Sequence, residues 1–478
     1  MDNYNNSNAN NSSSSTPPPP PTPDQIQRQY QQPLTQSPSQ STFAQNQNSK
    51  NASKFILFFI VAIAILAFMP VVFALWTYFS HNLTEDGLNP SQTFHPVDPS
   101  SLIKSDSFEF DFIKTANADK AENYLISPYS IKTALQLLNE GADGETKSEI
   151  ESALRDDTTP LDLSSEVLKV ANAAFIAPRF SKSVKPDFTD ILATKYNSEI
   201  LSADSPDVIN NWVNKNTDGM IPKIIQELPP GFTLGLSNAI ALDAKWMSEF
   251  EPELTTKKPF TISNGDKVET DIMTKTSTSS ETTYFELHDG KGITKAYDIE
   301  PKICDDVHDT SLIGPCPSRL FEFVAILPDS SPDDFIDNMP SDLLTEIDFK
   351  KIPASDEVNV ITHLPKFTFD YDLSTFKDNL KSLGINSAFD SKGADFSNIS
   401  DEQIYVDSTI HKTHIELSES GTKAAAVTYF GMRDNAVPSL EKQPTIYEIS
   451  FDRPFLFFIR DAITNEVVFF GVIENPSA

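Results

Sequence analysis

The apolar positions of this chain fall into three regimes. Residues 1–52 hold almost none: an Asn/Ser block, the prolines Pro17 to Pro21, then a Gln-rich run. Such a segment cannot offset its ordering entropy by burial, so a disordered, low-complexity tail is expected. From Phe55 to Ser80 there is no charged residue, and Phe55 to Trp76 is nearly all apolar. A bilayer core takes about 20 helical residues, so residues 53–80 are expected to form one transmembrane helix. The run is too long, and begins too far along the chain, for a cleaved signal peptide, and reads as a signal anchor. Lys50 and Lys54 precede it, whereas Glu85 and Asp86 are the first charges beyond. The positive-inside rule then puts the tail in the cytoplasm and the remainder outside the cell membrane.

Residues 81–104 are polar, contain prolines and keep no sustained period, as an extracytoplasmic linker would. Residues 105–478 carry the mixed periods of a globular domain. Ile131, Ala134, Leu135 and Leu138 share a helical face, as do Leu373, Phe376, Leu380 and Leu383. A further helix is expected over 145–154. Strand signals recur at 173–177, 238–246, 260–273, 282–287, 321–327, 358–370, 403–417, 446–460 and 466–473. Helices mixed with long strands of this kind predict an α+β domain.

One stretch does not fit a single conformation. In Glu419-Ser420-Gly421-Thr422-Lys423-Ala424-Ala425-Ala426-Val427-Thr428, a strand would put Thr422, Ala424, Ala426 and Thr428 on one face, all of them small. Such a strand could slide into a sheet without a steric block. Alanine's poor strand propensity means that nothing forces the segment to be a strand beforehand.

Those residues resemble the reactive-centre hinge of serpins, the serine-protease-inhibitor family. Asn123 to Ile131 resembles the family's helix-B motif, Gly141 to Thr146 its next turn, and Asn238 to Trp246 the strand leading to its tryptophan. Phe451-Asp452-Arg453-Pro454-Phe455 and Phe470 to Pro476 resemble its closing strands. The resemblance spans about residues 105–478. It implies a large central, mostly antiparallel sheet with two further sheets, surrounding helices and an exposed reactive-centre loop. It also implies a suicide inhibitor of a serine or cysteine endopeptidase. The protease would acylate itself on the loop, and the cut loop would enter the sheet as a new strand and drag the enzyme along. Roughly 14 residues at about 3.3 Å each would carry it some 45 Å.

By the same resemblance Glu419, Gly421, Thr422, Ala424, Ala425, Ala426 and Thr428 form the hinge. Ser127, Ser130, Asn238 and His411 match the shutter, whose hydrogen bonds hold two central strands together. Trp246, Lys366 and Glu419 match the breach, with Lys366 and Glu419 as an ion pair. Counting from Gly421 places the scissile bond at Asn435–Ala436, with Arg433–Asp434 as another candidate and Met432 and Phe430 as further sites. Counting back from Phe451 lands near Leu440, so the loop is longer than usual. Ser420 and Lys423 stand where inhibitory members commonly carry acidic residues. A non-inhibitory serpin, acting as a binding or surface-display protein, is the alternative.

Composition narrows the chemistry. With 68 acidic and 37 basic residues the formal charge is −31, which argues against nucleic acid as a partner. The interval 155–171, where some serpins carry a basic heparin-binding helix, is short and acidic, so heparin-type activation is not expected. No Gly-x-Ser-x-Gly elbow or His-Glu-x-x-His helix occurs, so an enzyme is not expected. His411 and His414 would face opposite sides of a strand, so no metal site is expected, nor any cofactor. Cys304 and Cys316 lie in an insertion, 289–318, where outside the membrane a disulfide is expected. The domain is expected to act as a monomer.

Overall fold

The computed structural model describes residues 107–117, 122–298, 320–355, 357–422 and 444–477. The tail, anchor and linker, Cys304 and Cys316, and the loop residues 423–443 with both candidate scissile bonds lie outside the described residues. Among the described residues no helix is long and apolar enough to cross a membrane.

Helix α1 (Phe108–Ala116) leads to strand β1 (Tyr124–Ile126) and helix α2 (Pro128–Gly141). Ser127 caps α2 and Pro128 fills its first turn, where a missing N–H costs nothing. Then come α3 (Gly144–Ala153), β2 (Leu168–Ile176), α4 (Pro186–Lys195), β3 (Glu199–Ser202) and α5 (Pro206–Asn216). They are followed by β4 (Leu234–Leu242), β5 (Ala244–Lys245), β6 (Thr256–Thr261), β7 (Lys267–Thr278), β8 (Thr282–Glu286), β9 (Gly290–Ala296) and β10 (Phe321–Pro328). Next are α6 (Pro332–Asn338), α7 (Leu343–Lys350), β11 (Val358–Pro365), β12 (Phe367–Asp372) and α8 (Phe376–Ser382). The last elements are β13 (Lys412–Ser418), β14 (Gly421–Thr422), β15 (Thr445–Ser450), β16 (Phe455–Asp461) and β17 (Val467–Ile473).

A six-stranded sheet, β1-β17-β16-β10-β9-β8, holds the middle of the molecule, and every residue of β10, β16 and β17 is buried. A second sheet runs β15-β11-β7-β6. The strands expected to form one central sheet fall instead into two hydrogen-bonded pieces, β3-β2-β4 and β12-β13-β14-β5. Chain continuity from β4 through Asp243 into β5 links them at one end.

Several expected strands are divided where the backbone demands it. The segment 260–273 becomes the hairpin β6–β7, turned at Gly265, whose φ of +90° suits glycine. The segment 446–460 breaks before Pro454, and 358–370 breaks at Lys366. Residues 403–411, expected as strand, make no ladder, and β13 begins only at Lys412. The expected insertion 289–318 starts later than its composition suggests. Gly290–Ala296 is a strand of the large sheet, and a Cβ on Gly292 would collide with Ala325 O and the Phe285 ring.

Buried charge fixes the periphery. Lys132 on α2 pairs with Glu109 at 2.6 Å, with Glu466, and with Asp157 at 3.4 Å. Tyr129 and Gln136 donate to backbone carbonyls of Leu161 and Asp157. These three residues share a face of α2 and pin the acidic interval after α3 onto it. Arg460 on β16 is fully buried and joins Glu322 of β10, at 2.9 Å, to Asp348 of α7. Removing one partner strands the others without compensation. Arg460→Met is therefore expected to lower the unfolding free energy by about 3 kcal/mol in urea titration. Arg155→Met, which breaks the largely exposed pair with Asp111, should cost less than about 1 kcal/mol.

Candidate functional site

The site begins where β13 ends. After Ser418 the chain turns at Glu419-Ser420 and comes back as β14, pairing Leu417 with Thr422 and Ser418 with Gly421. On its other side β14 pairs Gly421 with Lys245 and Thr422 with Ala244. Both pairings are antiparallel, so β14 is a wedge two residues long between β13 and β5. Only glycine fits its first position. Gly421 has φ +150°, and a Cβ there would overlap Ala244 O and lie 2.7 Å from Lys245 Cα. Thr422 is 4% exposed and faces inward, its hydroxyl 2.7 Å from the phenol of Tyr297.

Aromatic residues hold the turn from below. Tyr297 stacks on Trp246 with ring centres 4.6 Å apart and planes 11° from parallel. The Trp246 indole N–H donates to Ser418 O at 3.0 Å and its backbone N–H to Ser420 O at 2.9 Å. Phe250 N–H donates to Glu419 O. Lys366 Nζ lies 2.8 Å from one Glu419 oxygen, and Thr255 donates to the other at 2.8 Å. Partial burial works against the Glu419 charge, but these donors outweigh it and hold the carboxyl below its usual range.

Beyond Thr422 the flanking strands part. Between β4 on one side and the residues leading into β13 on the other is a cavity of about 520 Å³. Ile131 and Leu135 of α2, Leu236 of β4, Phe376 of α8 and Ile404 and Val406 are among its lining. The four residues expected to lock the strands together are divided between its two walls. Ser127 N–H donates to His411 Nε2 at 3.0 Å, and the Ser127 hydroxyl donates to Val468 O and accepts from Ser130 N–H. Asn238 donates instead to Asn172 at 2.9 Å, on the far side, and its buried Oδ1 has no hydrogen-bond partner. The expected bonding between the two central strands is thus absent among the described residues. Asn238 and His411 both line the cavity but share no hydrogen bond among the described residues.

Comparison with known proteins identifies the family to which this fold belongs. The family profile Serpin (serine protease inhibitor) covers residues 104–476. The chain belongs to the serpin family. A serpin-like protein of Thermococcus kodakarensis is 30% identical over 430 residues, covering 81% of this chain and 92% of that one. Leukocyte elastase inhibitor of Xenopus tropicalis is 28% identical over 402 residues, covering 77% and 97%. The thermophilic serpin Tengpin in its native state is similar in structure, with TM-score 0.65 and 29% identity over 79% of this chain and 95% of that one. As a serpin, the chain falls among proteins that are mostly inhibitors of proteases, not catalysts.

Of the hinge residues, Glu419, Gly421 and Thr422 are placed by the structure, whereas Ala424, Ala425, Ala426 and Thr428 lie outside the described residues. Trp246, Lys366 and Glu419 are brought together. Sequence reasoning missed Tyr297, Phe250 and Thr255, since nothing local marks a tyrosine whose partner lies 125 positions away.

Two outcomes follow from this geometry. Gly421→Ala is expected to expel β14, so that amide exchange at Trp246 quickens while β16 is unchanged. Burial pushes the His411 imidazole down to about 4, below its ordinary 6.5. The unfolded chain then binds the extra proton between these values, so the stability His411 confers is present above about 6.5 and lost as pH falls towards 4. Denaturant midpoints should show a loss of about 3 kcal/mol over that window, reduced or absent in His411→Gln.

Proposed function

We propose that this serpin is a suicide-type inhibitor of a serine or cysteine endopeptidase that traps its acyl-enzyme by inserting the cleaved loop into the slot. The single observation behind this reading is the wedge itself, with Gly421 and Thr422 already paired on both sides at the mouth of an apolar cavity. Continuing that register would set Thr428 between Asn238 and His411, and Met432 opposite Leu234, the first residue of β4. Even-numbered residues would face inward, as Thr422 does, so the small stripe would pass first. Ten further residues on the ladder correspond to about 33 Å of travel, with Arg433 to Asn435 adding the remainder beyond the end of β4.

The protease attacks the scissile bond, and the freed amino-terminal half of the loop inserts before water can release the acyl group. Before the cut, the chain is held short of its most stable state by a kinetic barrier. Relatives named as inhibitors support the class of target: leukocyte elastase inhibitor, and serine proteinase inhibitor 2 of variola virus, which is 28% identical over 373 residues. Display outside a membrane belongs to the same proposal and is supported by the apolar run at 53–80 and the charges that flank it.

Two measurements test this. A panel of serine and cysteine proteases should yield an SDS-stable complex of the full chain, and the released carboxy-terminal peptide should begin at Ala436. Chain cut in the loop should also melt at least about 10 °C above intact chain. No complex with any protease, together with equal melting of cut and intact chain, would leave a non-inhibitory binding protein.

A further inference from the structure

Beneath the hinge lies a buried base with no part in the insertion chemistry described above. Lys295, on β9, is 1% exposed. Its ammonium nitrogen lies 5.7 Å from the centre of the Trp246 ring and 5.1 Å from that of Phe250. Its hydrogen-bond partner among the described residues is the Thr282 hydroxyl, at a long 3.5 Å. Those two aromatic residues are the ones whose backbone N–H groups hold the hinge carbonyls of Ser420 and Glu419, each at 2.9 Å. Bringing water to Nζ by moving either ring disturbs a residue that grips the hinge.

The charges around it are unevenly arranged. Lys275 of β7 adds a like charge, and Glu281, between β7 and β8, opposes it. Lys275 is itself 3.7 Å from Glu251. The hinge offers Glu419, already paired with Lys366, and the residue following β9 offers the Tyr297 phenol, already bonded to Thr422. No carboxylate is paired with Lys295 among the described residues.

We propose that Lys295 is a positioning residue for the hinge: when neutral it lets Trp246 and Phe250 close over it and grip residues 419–422, and when it takes a proton it drives that grip open. The physical cause is lost hydration. A buried ammonium gives up water, and two ring faces and one distant hydroxyl return only part of that. Burial, reinforced by Lys275, brings the lysine down to about 7. An opened site returns it towards the ordinary value near 10.4. The closed grip therefore gains stability as pH rises from about 7 towards 10 and loses it as pH falls back, up to tenfold per unit. His411 titrates near 4, outside this window. Glu466 and Glu474, at the two ends of β17, are raised to about 8 and about 7, and their contributions run the other way, fading as pH rises.

The consequence for inhibition rests on the insertion reading, but the grip can be measured without it. Amide exchange of the intact full-length chain, corrected for intrinsic chemistry, is followed from pH 6.5 to 9.0 at Trp246 and Phe250. Amides of β16 serve as the internal control. Protection at the two hinge-holding amides is expected to rise at least about tenfold from pH 7 to 9, with no matching rise in β16. In Lys295→Met it should be high and flat. Should that variant fail to fold, Thr282→Val keeps the lysine, removes its hydroxyl partner, and should move the midpoint of the wild-type rise to lower pH. An equal rise in Lys295→Met, an equal rise in β16, or no rise in the wild type would each overturn the proposal. Neither protease nor cleavage enters this measurement, so failure of the trap and failure of the lysine device give separate signatures.

Discussion

The molecule turns on two residues of backbone. Neighbouring strands in a sheet sit about 4.8 Å apart, so strands either side of a third are separated by nearly 10 Å. Once Gly421 and Thr422 pair with both β5 and β13, the flanking strands are held at that wider spacing for as far as they stay straight. That spacing opposes direct pairing of β4 with β13, in keeping with a central sheet that is divided among the described residues and with residues 403–411 carrying no ladder. The cavity results from that spacing; poor packing need not be invoked. Its walls are the ordinary apolar faces of α2, α8 and β4, which no strand covers beyond the wedge among the described residues.

The same constraint explains how the polar groups are distributed. A buried amide oxygen without a partner is rare, because leaving one unsatisfied costs about 1–3 kcal/mol. Asn238 Oδ1 is such an atom, and it lines the slot opposite His411. His411 is held neutral by full burial and accepts from Ser127 N–H, so each wall has its own hydrogen bonds but the two walls share none among the described residues. At the mouth the balance differs, because Glu419, Lys366, Thr255, Tyr297 and Trp246 are all engaged. The mouth is fixed and the slot is under-satisfied, an arrangement that favours a strand growing from the mouth inwards.

How much of this could be read from the sequence depended on range. Motifs in which neighbouring residues act together were legible, namely the helical face of Ile131, Ala134, Leu135 and Leu138 and the small-residue stripe after Gly421, whereas the distant partners Lys366 and Glu419 came only by resemblance. Strand β9 was not. Gly-Lys-Gly-Ile-Thr-Lys-Ala has the composition of a loop and becomes a central strand only because β8 and β10 flank it, and its glycines let those neighbours close in. Tyr297 and Lys295 were lost with it, since a residue on an unrecognised strand has no assigned face. Lys132 and Arg460 were also hidden, because a buried cation is marked only by its distant carboxylates. The divided sheet could not have been read at all. Alternation along 403–417 reports which face is apolar, and is silent on whether a neighbouring strand is in contact.

Magnitudes decide what would drive the proposed insertion. Each residue added to the interior of a sheet completes about two backbone hydrogen bonds, worth roughly 2 kcal/mol net. Fixing that residue costs roughly 1–2 kcal/mol of backbone entropy, and more once side chains are ordered. The alanines of the stripe therefore come out near balance, easing insertion without supplying much force. The surplus must come from apolar area, at about 25 cal/mol per Å². On the continued register the inward residues after Thr428 are Phe430 and Met432, large side chains that would meet a cavity lined by Leu236, Phe376 and Ile404. Each would contribute about 2–3 kcal/mol on full burial, at the end of the travel, where a bound enzyme would resist most. Small residues at the mouth and large ones at the far end thus play different parts. In the proposed insertion the small ones would set the barrier to starting the strand, and the large ones how hard its last residues pull.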